Sequence, residues 1–257
     1  MSERLKDKVA VVTGASDGIG HEVSAAFVRE GAKVVMLARG REKLEAAAAS
    51  LNEAGGGEAL GIPTDVGSME QMETAFGQVL DRYGRVDVLV NNAAVAIPGD
   101  ITDDGDAEWN HLLNINLLGV FRGIHLALPS MLKQGGGSVI NMTSVQGDRS
   151  WDHWTTYAAA KGGIKAMTRQ LAGQYGPCGV RFNCVSPGAI DTPMNRKRAE
   201  DEGAELYDTF HRMHALGRMG KADEVNGACV FLASDESAFV TGIDLPVDGG
   251  LLVLPRN

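Results

Sequence analysis

The chain has 257 residues, of which 44% are hydrophobic and 22% are charged. This composition is that of an ordinary globular protein, and it excludes disordered, collagen-like and disulfide-framework chains. The formal net charge of −9, without any long run of lysine or arginine, argues against a nucleic-acid-binding protein. The basic triplet Arg196–Arg198 is followed at once by acidic residues, so we interpret it as a solvated helix face.

The three cysteines, Cys178, Cys184 and Cys229, are odd in number and lack the spacing of metal ligands. We therefore expect neither a disulfide nor a metal site, and a reducing cytoplasm fits this pattern best. The segment 1–8 lacks the apolar core of a signal peptide. No uninterrupted apolar run reaches the roughly 18 residues of a spanning helix, so we expect no membrane partner.

Short runs rich in β-branched residues alternate along the chain with longer amphipathic segments. The predicted strands are Lys8–Thr13, Lys33–Ala38, Glu58–Ile62, Val86–Asn91, Ser138–Met142, Val180–Ser186 and Ile243–Val247. Apolar residues at three- and four-residue spacing predict helices between them, for example over Gly20–Glu30, Glu42–Glu53 and Met69–Tyr83. This alternation predicts an α/β fold with a doubly wound parallel sheet, Rossmann-like, of about seven strands with helices on both faces. No linker-like shift in composition interrupts it, so we expect a single domain over residues 1–257.

The first predicted strand runs directly into a glycine-rich turn, Thr13–Gly20, which opens a helix. Backbone N–H groups in such a turn, together with the helix N-terminus, favour a bound pyrophosphate. The candidate cofactor-binding residues here are Gly14, Ser16, Asp17, Gly18, Ile19 and Gly20. Three glycines alone also fit a plain tight turn, but their place between the first strand and the first helix favours a dinucleotide site.

The end of the second strand bears on the choice between NAD and NADP. Ala38 occupies the position where an acidic residue would select NAD, and Arg39 follows it with a guanidinium suited to a phosphate. We therefore predict NADP as the cofactor, with NAD as the alternative. Asp17 favours that alternative because its carboxylate would repel a 2′-phosphate, and Arg39 could also be an ordinary exposed loop cation.

Asp65 and Val66 follow the third strand, where an adenine amino group could be held. A second interpretation is that Asp65 caps the helix that begins near Ser68. The sequence leaves these two roles equally open.

Tyr157 and Lys161 form a Y-x-x-x-K motif, whose spacing places both side chains on one face of a helix. A neighbouring cation, together with an oxidised nicotinamide, would lower the pKa of a tyrosine from its ordinary value near 10. Ser144 follows the fifth strand, at a carboxyl end where an active site belongs. Asn116 is a polar residue in the apolar stripe of a helix predicted over 114–121. These four residues are the candidate catalytic set.

Taken together, these motifs resemble the short-chain dehydrogenase/reductase family, in its single-domain branch. The matching residues are Thr13–Gly20, Asp65, Val66, Asn91–Ala94, Asn116, Ser144, Tyr157, Lys161, Pro187, Gly188, Thr192 and the segment Phe231–Gly250. The resemblance implies an NAD(P)-dependent oxidoreductase that transfers a hydride between nicotinamide and a carbonyl or secondary alcohol of a small or medium-sized molecule.

The resemblance also implies a role for each catalytic candidate. Tyr157 is the general acid or base, and Lys161 holds the nicotinamide ribose and lowers the pKa of Tyr157. Ser144 hydrogen-bonds the substrate oxygen. Asn116 holds a water molecule in a proton relay that ends at Lys161. Further cofactor contacts are implied for Asn92, Ala93, Pro187, Gly188, Ile190 and Thr192, with Tyr157 and Lys161 as cofactor contacts as well.

The family resemblance further implies a mobile substrate lid at about 193–216 and assembly as a homotetramer. The substrate-contact candidates are Ser144, Gln146, Trp151, Trp154 and Met194. The two tryptophans either form an aromatic wall of the substrate site or pack against a neighbouring subunit.

Two other function classes compete with the oxidoreductase. A catalytically silent NAD(P)-binding redox sensor or structural subunit would lack at least one of the four catalytic candidates, and all four are present. An epimerase or dehydratase acting on nucleotide sugars needs a longer substrate-binding part after the catalytic helix than this chain has. A small-molecule carbonyl or alcohol substrate is therefore the expected partner.

Overall fold

The computed structural model describes residues 3–103, 105–203 and 205–254. Residue 204 of the predicted lid, like residues 1–2, 104 and 255–257 of the predicted domain, lies outside the described residues. The strands are β1 Val9–Thr13, β2 Lys33–Ala38, β3 Glu58–Pro63, β4 Val88–Asn91, β5 Gly137–Met142, β6 Val180–Pro187, β7 Ile190–Asp191, β8 Gly220–Lys221 and β9 Asp244–Val247. The helices are α1 Gly18–Arg29, α2 Arg41–Ala54, α3 Met69–Tyr83, α4 Asp106–Asn116, α5 Leu118–Lys133, α6 Thr155–Tyr175, α7 Pro193–Glu202, α8 Glu205–Arg212 and α9 Asn226–Ala233.

Seven strands form one parallel sheet in the order β3-β2-β1-β4-β5-β6-β9, and β7 pairs separately with β8. The strand order reverses between β1 and β4, which is the topological switch point where ligands bind in open α/β sheets. The predicted fold class, a doubly wound Rossmann-like sheet, is confirmed. The predicted strands all lie in this sheet, with ends that shift by one or two residues.

Hydrophobic side chains of the strands are buried on both faces of the sheet. Along β1, Ala10 and Val12 pack with α1, α2 and α9, whereas Val9 and Val11 pack on the other face with α3, α5 and α6. Successive side chains of a strand point to opposite faces, so a strand covered on both sides has to be apolar throughout. This two-sided burial explains the unbroken hydrophobic runs in the sequence.

The helix predicted over 114–121 is wrong as a continuous element. One helix ends at Asn116 and the next begins at Leu118. Arg122 holds this break: its Nη1 donates to the Asn114 main-chain carbonyl at 3.0 Å, and its Nη2 donates to the Asn114 Oδ1 at 2.7 Å. A side chain that binds a helix carbonyl replaces the regular helical partner and favours a bend at that point.

The same stretch, Asp106–Lys133, is the one helical region of the described residues that is long and apolar enough, by composition, to cross a membrane. Its most apolar window has a mean hydropathy of 1.3, and 39% of that window is buried inside the fold. Since the stretch is broken at Leu117 and its inner face packs against α3 and α6, we interpret it as a core helix pair. Its outer face leaves Leu118 and Phe121 exposed.

Candidate active site

A cavity of about 730 Å³ lies at the carboxyl ends of the strands and runs from the turn after β1 to the helices α7 and α8. Its volume is in the range of pockets that hold small molecules and cofactors. Two predicted site residues, Gly20 and Asn116, do not line it. The predicted residues that do line it are Gly14, Ser16, Asp17, Gly18, Ile19, Arg39, Asp65, Val66, Asn92, Ala93, Ser144, Gln146, Trp151, Trp154, Tyr157, Lys161, Pro187, Gly188, Ile190, Thr192 and Met194.

The turn after β1 has the geometry of a cradle that only glycines permit. Gly14 and Gly18 have φ angles of 65° and 56°, in the left-handed region that L side chains rarely adopt. A Cβ atom on Gly14 would lie 2.8 Å from the Ala93 Cα, and one on Gly20 would lie 2.3 Å from the Gly14 carbonyl oxygen. The Asn92 amide clamps the turn by donating to the Gly14 carbonyl at 3.1 Å. Gly20 therefore shapes the cradle from behind, and the residues present fit a dinucleotide pyrophosphate.

The charges near the second strand differ from what the sequence indicated. Asp17 forms an ion pair with Lys43, and both residues line the cavity. Lys43 thus offsets the negative charge that would have argued against a 2′-phosphate. Arg39 is exposed on the cavity wall and has no hydrogen-bond or ion-pair partner among residues 3–103, 105–203 and 205–254. Lys43 lies one turn into α2 and carries no sequence signal that distinguishes it from a surface lysine.

The two interpretations of Asp65 are now distinguishable. Ser68 is the N-cap of α3, and its hydroxyl accepts from the Gln71 N–H. Asp65 instead accepts from the Gly67 N–H at 2.8 Å and so shapes the turn between β3 and α3. The capping interpretation is therefore wrong, while Asp65 and Val66 both face the cavity.

Tyr157, Lys161 and Ser144 come together at the centre of the cavity wall. Lys161 is buried, donates from Nζ to the Met142 carbonyl at 2.9 Å, and lies 5.5 Å from the centre of the Tyr157 ring. The Ser144 Oγ accepts from the Gln146 N–H at 3.2 Å, which orients the hydroxyl. The i, i+4 spacing of the motif thus produces the shared face that it predicts.

Burial dominates the pKa values of Tyr157 and Lys161. Burial raises the pKa of Tyr157 to about 12, although the Ser144 hydroxyl and the Arg198 guanidinium act to lower it. Burial also lowers the pKa of Lys161 to about 8. In the chain without a cofactor, the desolvation of the phenolate thus outweighs the charges around it, and the lowering of the Tyr157 pKa by Lys161 together with an oxidised nicotinamide stays a prediction.

Asn116 is fully buried and acts on the neighbouring loop. Its side-chain amide donates to the Val95 carbonyl and accepts from the Val95 N–H, each at 2.8 Å. Val95 lines the cavity, so Asn116 positions the cavity wall through this loop. The pairing also explains why a polar residue is tolerated in an apolar stripe, since both ends of its amide have partners. Its role in a proton relay stays a prediction.

Lys165 is the buried centre of a charge network that the sequence analysis missed, and its partners Asp148 and Asp244 are partly exposed. Its side chain is 4% exposed and forms ion pairs with Asp148 and with Asp244, the latter at 2.7 Å. Asp244 also accepts from the Ser186 hydroxyl at 2.7 Å. The network joins α6, β9 and the segment after Ser144. A lysine one turn beyond Lys161 was its only sequence signal.

Aromatic side chains form the wall beyond Tyr157. Trp154 is buried, lines the cavity and packs edge-on against Tyr157 at a ring-centre distance of 5.4 Å. The Arg198 guanidinium lies 4.5 Å from the centre of the Trp154 ring and bonds Glu202. Trp151 also lines the cavity, as the aromatic-wall interpretation requires, and the packing of the tryptophans against another subunit stays the alternative prediction.

The basic triplet is only partly a solvated face. Arg196 and Lys197 are exposed and pair with Asp191 and Asp201, as expected. Arg198 instead turns inward to the cavity. The segment predicted as a lid contains α7 and α8, and it adds wall residues that the sequence analysis did not select: Asn195, Arg198, Glu202, Leu206, Thr209, Phe210 and Met213. Its role as a lid stays a prediction.

Comparison with known proteins finds relatives that match this chain over nearly its whole length. A family model described as Enoyl-(Acyl carrier protein) reductase matches residues 14–252. The chain is 37% identical to a 3-oxoacyl-[acyl-carrier-protein] reductase of Thermotoga maritima, over 97% of this chain and 100% of that protein. It is 34% identical to 3beta-hydroxysteroid dehydrogenase 1 of Eggerthella lenta, over 99% of this chain and 97% of that protein. The crystal structure of levodione reductase superposes with a TM-score of 0.93 at 33% identity, covering 97% of this chain and 99% of that one.

Proposed function

Because the chain belongs to the short-chain dehydrogenase/reductase family and is an NAD(P)-dependent oxidoreductase of carbonyl and alcohol groups, we propose that it is an NADPH-dependent carbonyl reductase. The observation that carries this direction is Arg39, which is exposed on the cavity wall and whose guanidinium suits the 2′-phosphate of NADPH, the cofactor of reductions. Tyr157 can serve either direction, because its phenol protonates the substrate oxygen in reduction and its phenolate accepts the proton in oxidation.

In this proposal the protein's groups bind and orient the substrate and deliver its proton. Ser144 donates a hydrogen bond to the substrate carbonyl oxygen, and Tyr157 transfers its hydroxyl proton to that oxygen as the C–H bond forms. The nicotinamide supplies the hydride when bound. Lys161 holds the ribose and is protonated at neutral pH, since its pKa is about 8. The aromatic wall at Trp154 excludes water from the reacting carbon.

The remaining cavity residues divide along the length of the cofactor. The cradle Gly14–Gly20 would hold the pyrophosphate, Asp65 and Val66 the adenine, and Arg39 the 2′-phosphate. Five residues would border the nicotinamide and its ribose: Asn92, Ala93, Pro187, Gly188 and Ile190. Thr192 would complete the carboxamide site. Each assignment is supported by residues on the cavity wall, which within the cradle are Gly14 and residues 16–19.

The test of the proposal is a comparison of cofactor binding and turnover in the same preparation. We expect NADPH to bind at least about tenfold more tightly than NADH, equivalent to about 1.4 kcal/mol. We also expect a carbonyl substrate to be reduced. Cofactor binding without turnover across a broad panel of ketones, aldehydes and secondary alcohols would instead support the catalytically silent redox sensor or structural subunit.

Exchanging Arg39 for aspartate is expected to reverse this preference. The carboxylate would repel the 2′-phosphate and accept a hydrogen bond from a free ribose hydroxyl, so the NADPH-to-NADH affinity ratio should fall at least about tenfold. Fluorescence titration of both cofactors measures this ratio directly. Arg41→Asp is the matched control, because Arg41 is exposed, pairs with Glu45 and does not line the cavity. An unchanged ratio in Arg39→Asp would show that other groups recognise the phosphate.

For the substrate we propose a ketone with an apolar, ring-sized body. The wall beyond Tyr157 is built from Trp151, Trp154, Met194, Phe210 and Met213, which offer flat and adaptable apolar contacts. One relative is a 3beta-hydroxysteroid dehydrogenase, whose name specifies an alcohol on a ring system. We expect a kcat/KM at least about tenfold higher for substituted cyclohexanones than for acetone. Equal kcat/KM values for the two substrates would show that the aromatic wall does not determine substrate specificity.

We further propose that the enzyme is a cytoplasmic homotetramer. The described cysteines are all free, as a reducing compartment allows. The outer face of α5 exposes Leu118 and Phe121, and Phe239 is fully exposed near the last strand. Apolar side chains exposed in this way mark candidate subunit contacts.

Phe121→Glu should shift the light-scattering mass of the protein from four chains of 27.2 kDa towards smaller species. A charge in an apolar subunit contact is unfavourable because it loses its hydration there. Glu45→Gln, on an exposed face of α2, is the control. A single-chain mass for the unmodified protein would contradict the tetramer.

A further inference from the structure

His214 lies between the lid and the loop that follows β6, and both of its ring nitrogens have partners. Nε2 accepts from the Ala189 N–H at 3.0 Å, and Nδ1 donates to the Phe210 carbonyl at 2.6 Å. Since a main-chain N–H only donates and a carbonyl only accepts, the ring is the neutral tautomer with its proton on Nδ1. One side chain thus joins α8 to the loop 187–190, which lines the cavity.

The packing around this ring leaves little freedom for either segment. His214 is 4% exposed. A Cβ atom on Gly188 would lie 2.7 Å from the Nε2 atom of His214, so only glycine allows the ring to approach the loop this closely. A Cβ atom on Gly249, after β9, would lie 3.5 Å from the Cβ and Cδ2 atoms of His214. If the ring lost its acceptor, the Ala189 N–H would lose its partner at a half-buried position, which is unfavourable.

We propose that His214 is a positioning residue that couples the substrate lid to the cofactor-side loop 187–190 as a neutral imidazole, and that its protonation uncouples them. The proposal depends on the proposed function only where it assigns that loop to cofactor contact. A proton on Nε2 would face the Ala189 N–H, and two donors cannot share a hydrogen bond. The hydrogen bond from Nδ1 to the Phe210 carbonyl would persist. The bond that is lost is therefore the one between His214 and the loop 187–190.

The burial of His214 and the charges around it determine the pH range in which the ring stays neutral. Burial lowers the pKa of His214 from its ordinary value of 6.5, the Phe210 carbonyl and Asp248 act to raise it, and His211 and Arg218 act to lower it. Because the folded pKa lies below the unfolded one, the unfolded chain takes up the proton first as the pH falls. The stability that neutral His214 contributes is therefore present above pH 6.5 and is lost progressively below it.

Hydrogen exchange of the Ala189 amide in the full cofactor-free chain tests the coupling. We compare protection at about pH 5.5 and about pH 7.5, on either side of the ordinary histidine pKa, after correction for intrinsic exchange. In the unmodified protein we expect protection to fall about tenfold at the lower pH, equivalent to about 1.4 kcal/mol. His214→Gln, whose amide has an acceptor and a donor but does not titrate, should show the same protection at both values. In His214→Phe, the Ala189 amide should lose its protection at both pH values.

The matched control is His111→Gln, an exposed histidine on α4 that neither lines the cavity nor acts on His214, and it should keep the response of the unmodified protein. Protection of Ala189 that is equal at both pH values in the unmodified protein would overturn the proposal. A pH response in His214→Gln equal to that of the unmodified protein would also overturn the proposal. This variant remains a valid test if His214→Phe does not fold.

A kinetic readout separates positioning from general damage. We expect the KM for NADPH to rise about tenfold between neutral and acid pH in the unmodified protein, with a much smaller change in kcat. In His214→Gln this rise should be absent. Since the exchange measurement needs neither cofactor nor substrate, it stands even if the proposed cofactor or reaction proves wrong.

Discussion

Replacing Tyr157 with phenylalanine is expected to lower the kcat for carbonyl reduction by about 10³-fold or more. The substitution removes the hydroxyl proton that the substrate oxygen receives, and general acid catalysis by a positioned group contributes about 10²–10⁴-fold. The aromatic ring stays, so its edge-on contact with Trp154 persists. Affinity for NADPH should therefore change only a few-fold. Single-turnover kinetics together with a fluorescence titration of NADPH measure both quantities.

The control for this substitution is Tyr175→Phe at the other end of the same helix. Tyr175 packs against Phe182 in the core and lies outside the cavity wall, so its loss of a hydroxyl should leave kcat nearly unchanged. Substantial activity in Tyr157→Phe would remove Tyr157 from its assigned role and direct attention to Ser144 and Lys161.

The rates of carbonyl reduction and of alcohol oxidation should depend on pH in different ways. Reduction needs the protonated phenol, and the protein's own groups hold the pKa of Tyr157 at about 12, so proton donation should persist through neutral pH. Oxidation of the corresponding alcohol needs the phenolate, so its rate should rise with pH across the alkaline range.

Lys165→Met is expected to produce the largest loss of stability of any lysine substitution considered. The change leaves Asp244, whose side chain is 21% exposed, without its buried ammonium partner, so the free energy of unfolding should fall by an amount between the about 0–1 kcal/mol of an exposed pair and the about 3–5 kcal/mol of a buried one. Urea denaturation, followed by tryptophan fluorescence, measures this change. Lys197→Met is the matched control. Its ammonium pairs with Asp201 on an exposed helix face, where such pairs contribute about 0–1 kcal/mol.

Neutralising the partners distinguishes a lost ion pair from lost packing. Combining Lys165→Met with Asp148→Asn and Asp244→Asn should recover part of the stability, because no unpaired charge then remains in the network. A loss below about 1 kcal/mol in Lys165→Met would show that water reaches Asp244 and compensates for the missing ammonium.

The sheet and most of the phosphate cradle could be predicted because their signals are local. The Met69–Tyr83 helix is bounded by a capping serine and a glycine in the left-handed region, Ser68 and Gly84, and its predicted ends are correct. The helix predicted over 114–121 failed because the Arg122 side chain bonds the Asn114 main-chain carbonyl in place of a helical N–H, and the Asn116 side chain bonds Val95. Periodicity of apolar residues does not reveal such competing partners.

The sequence by itself determined the elements whose physics depends on chain neighbours: strand runs, helix faces, glycine turns and the shared face of Tyr157 and Lys161. The tertiary structure decided which groups meet across the chain and how far each is removed from water. Only it paired Lys43 with Asp17, turned Arg198 onto Trp154 and enclosed Lys165 between two carboxylates. The reason is that desolvation and charge pairing depend on segments distant in sequence, which is also why burial, and not the neighbouring lysine, dominates the pKa of Tyr157.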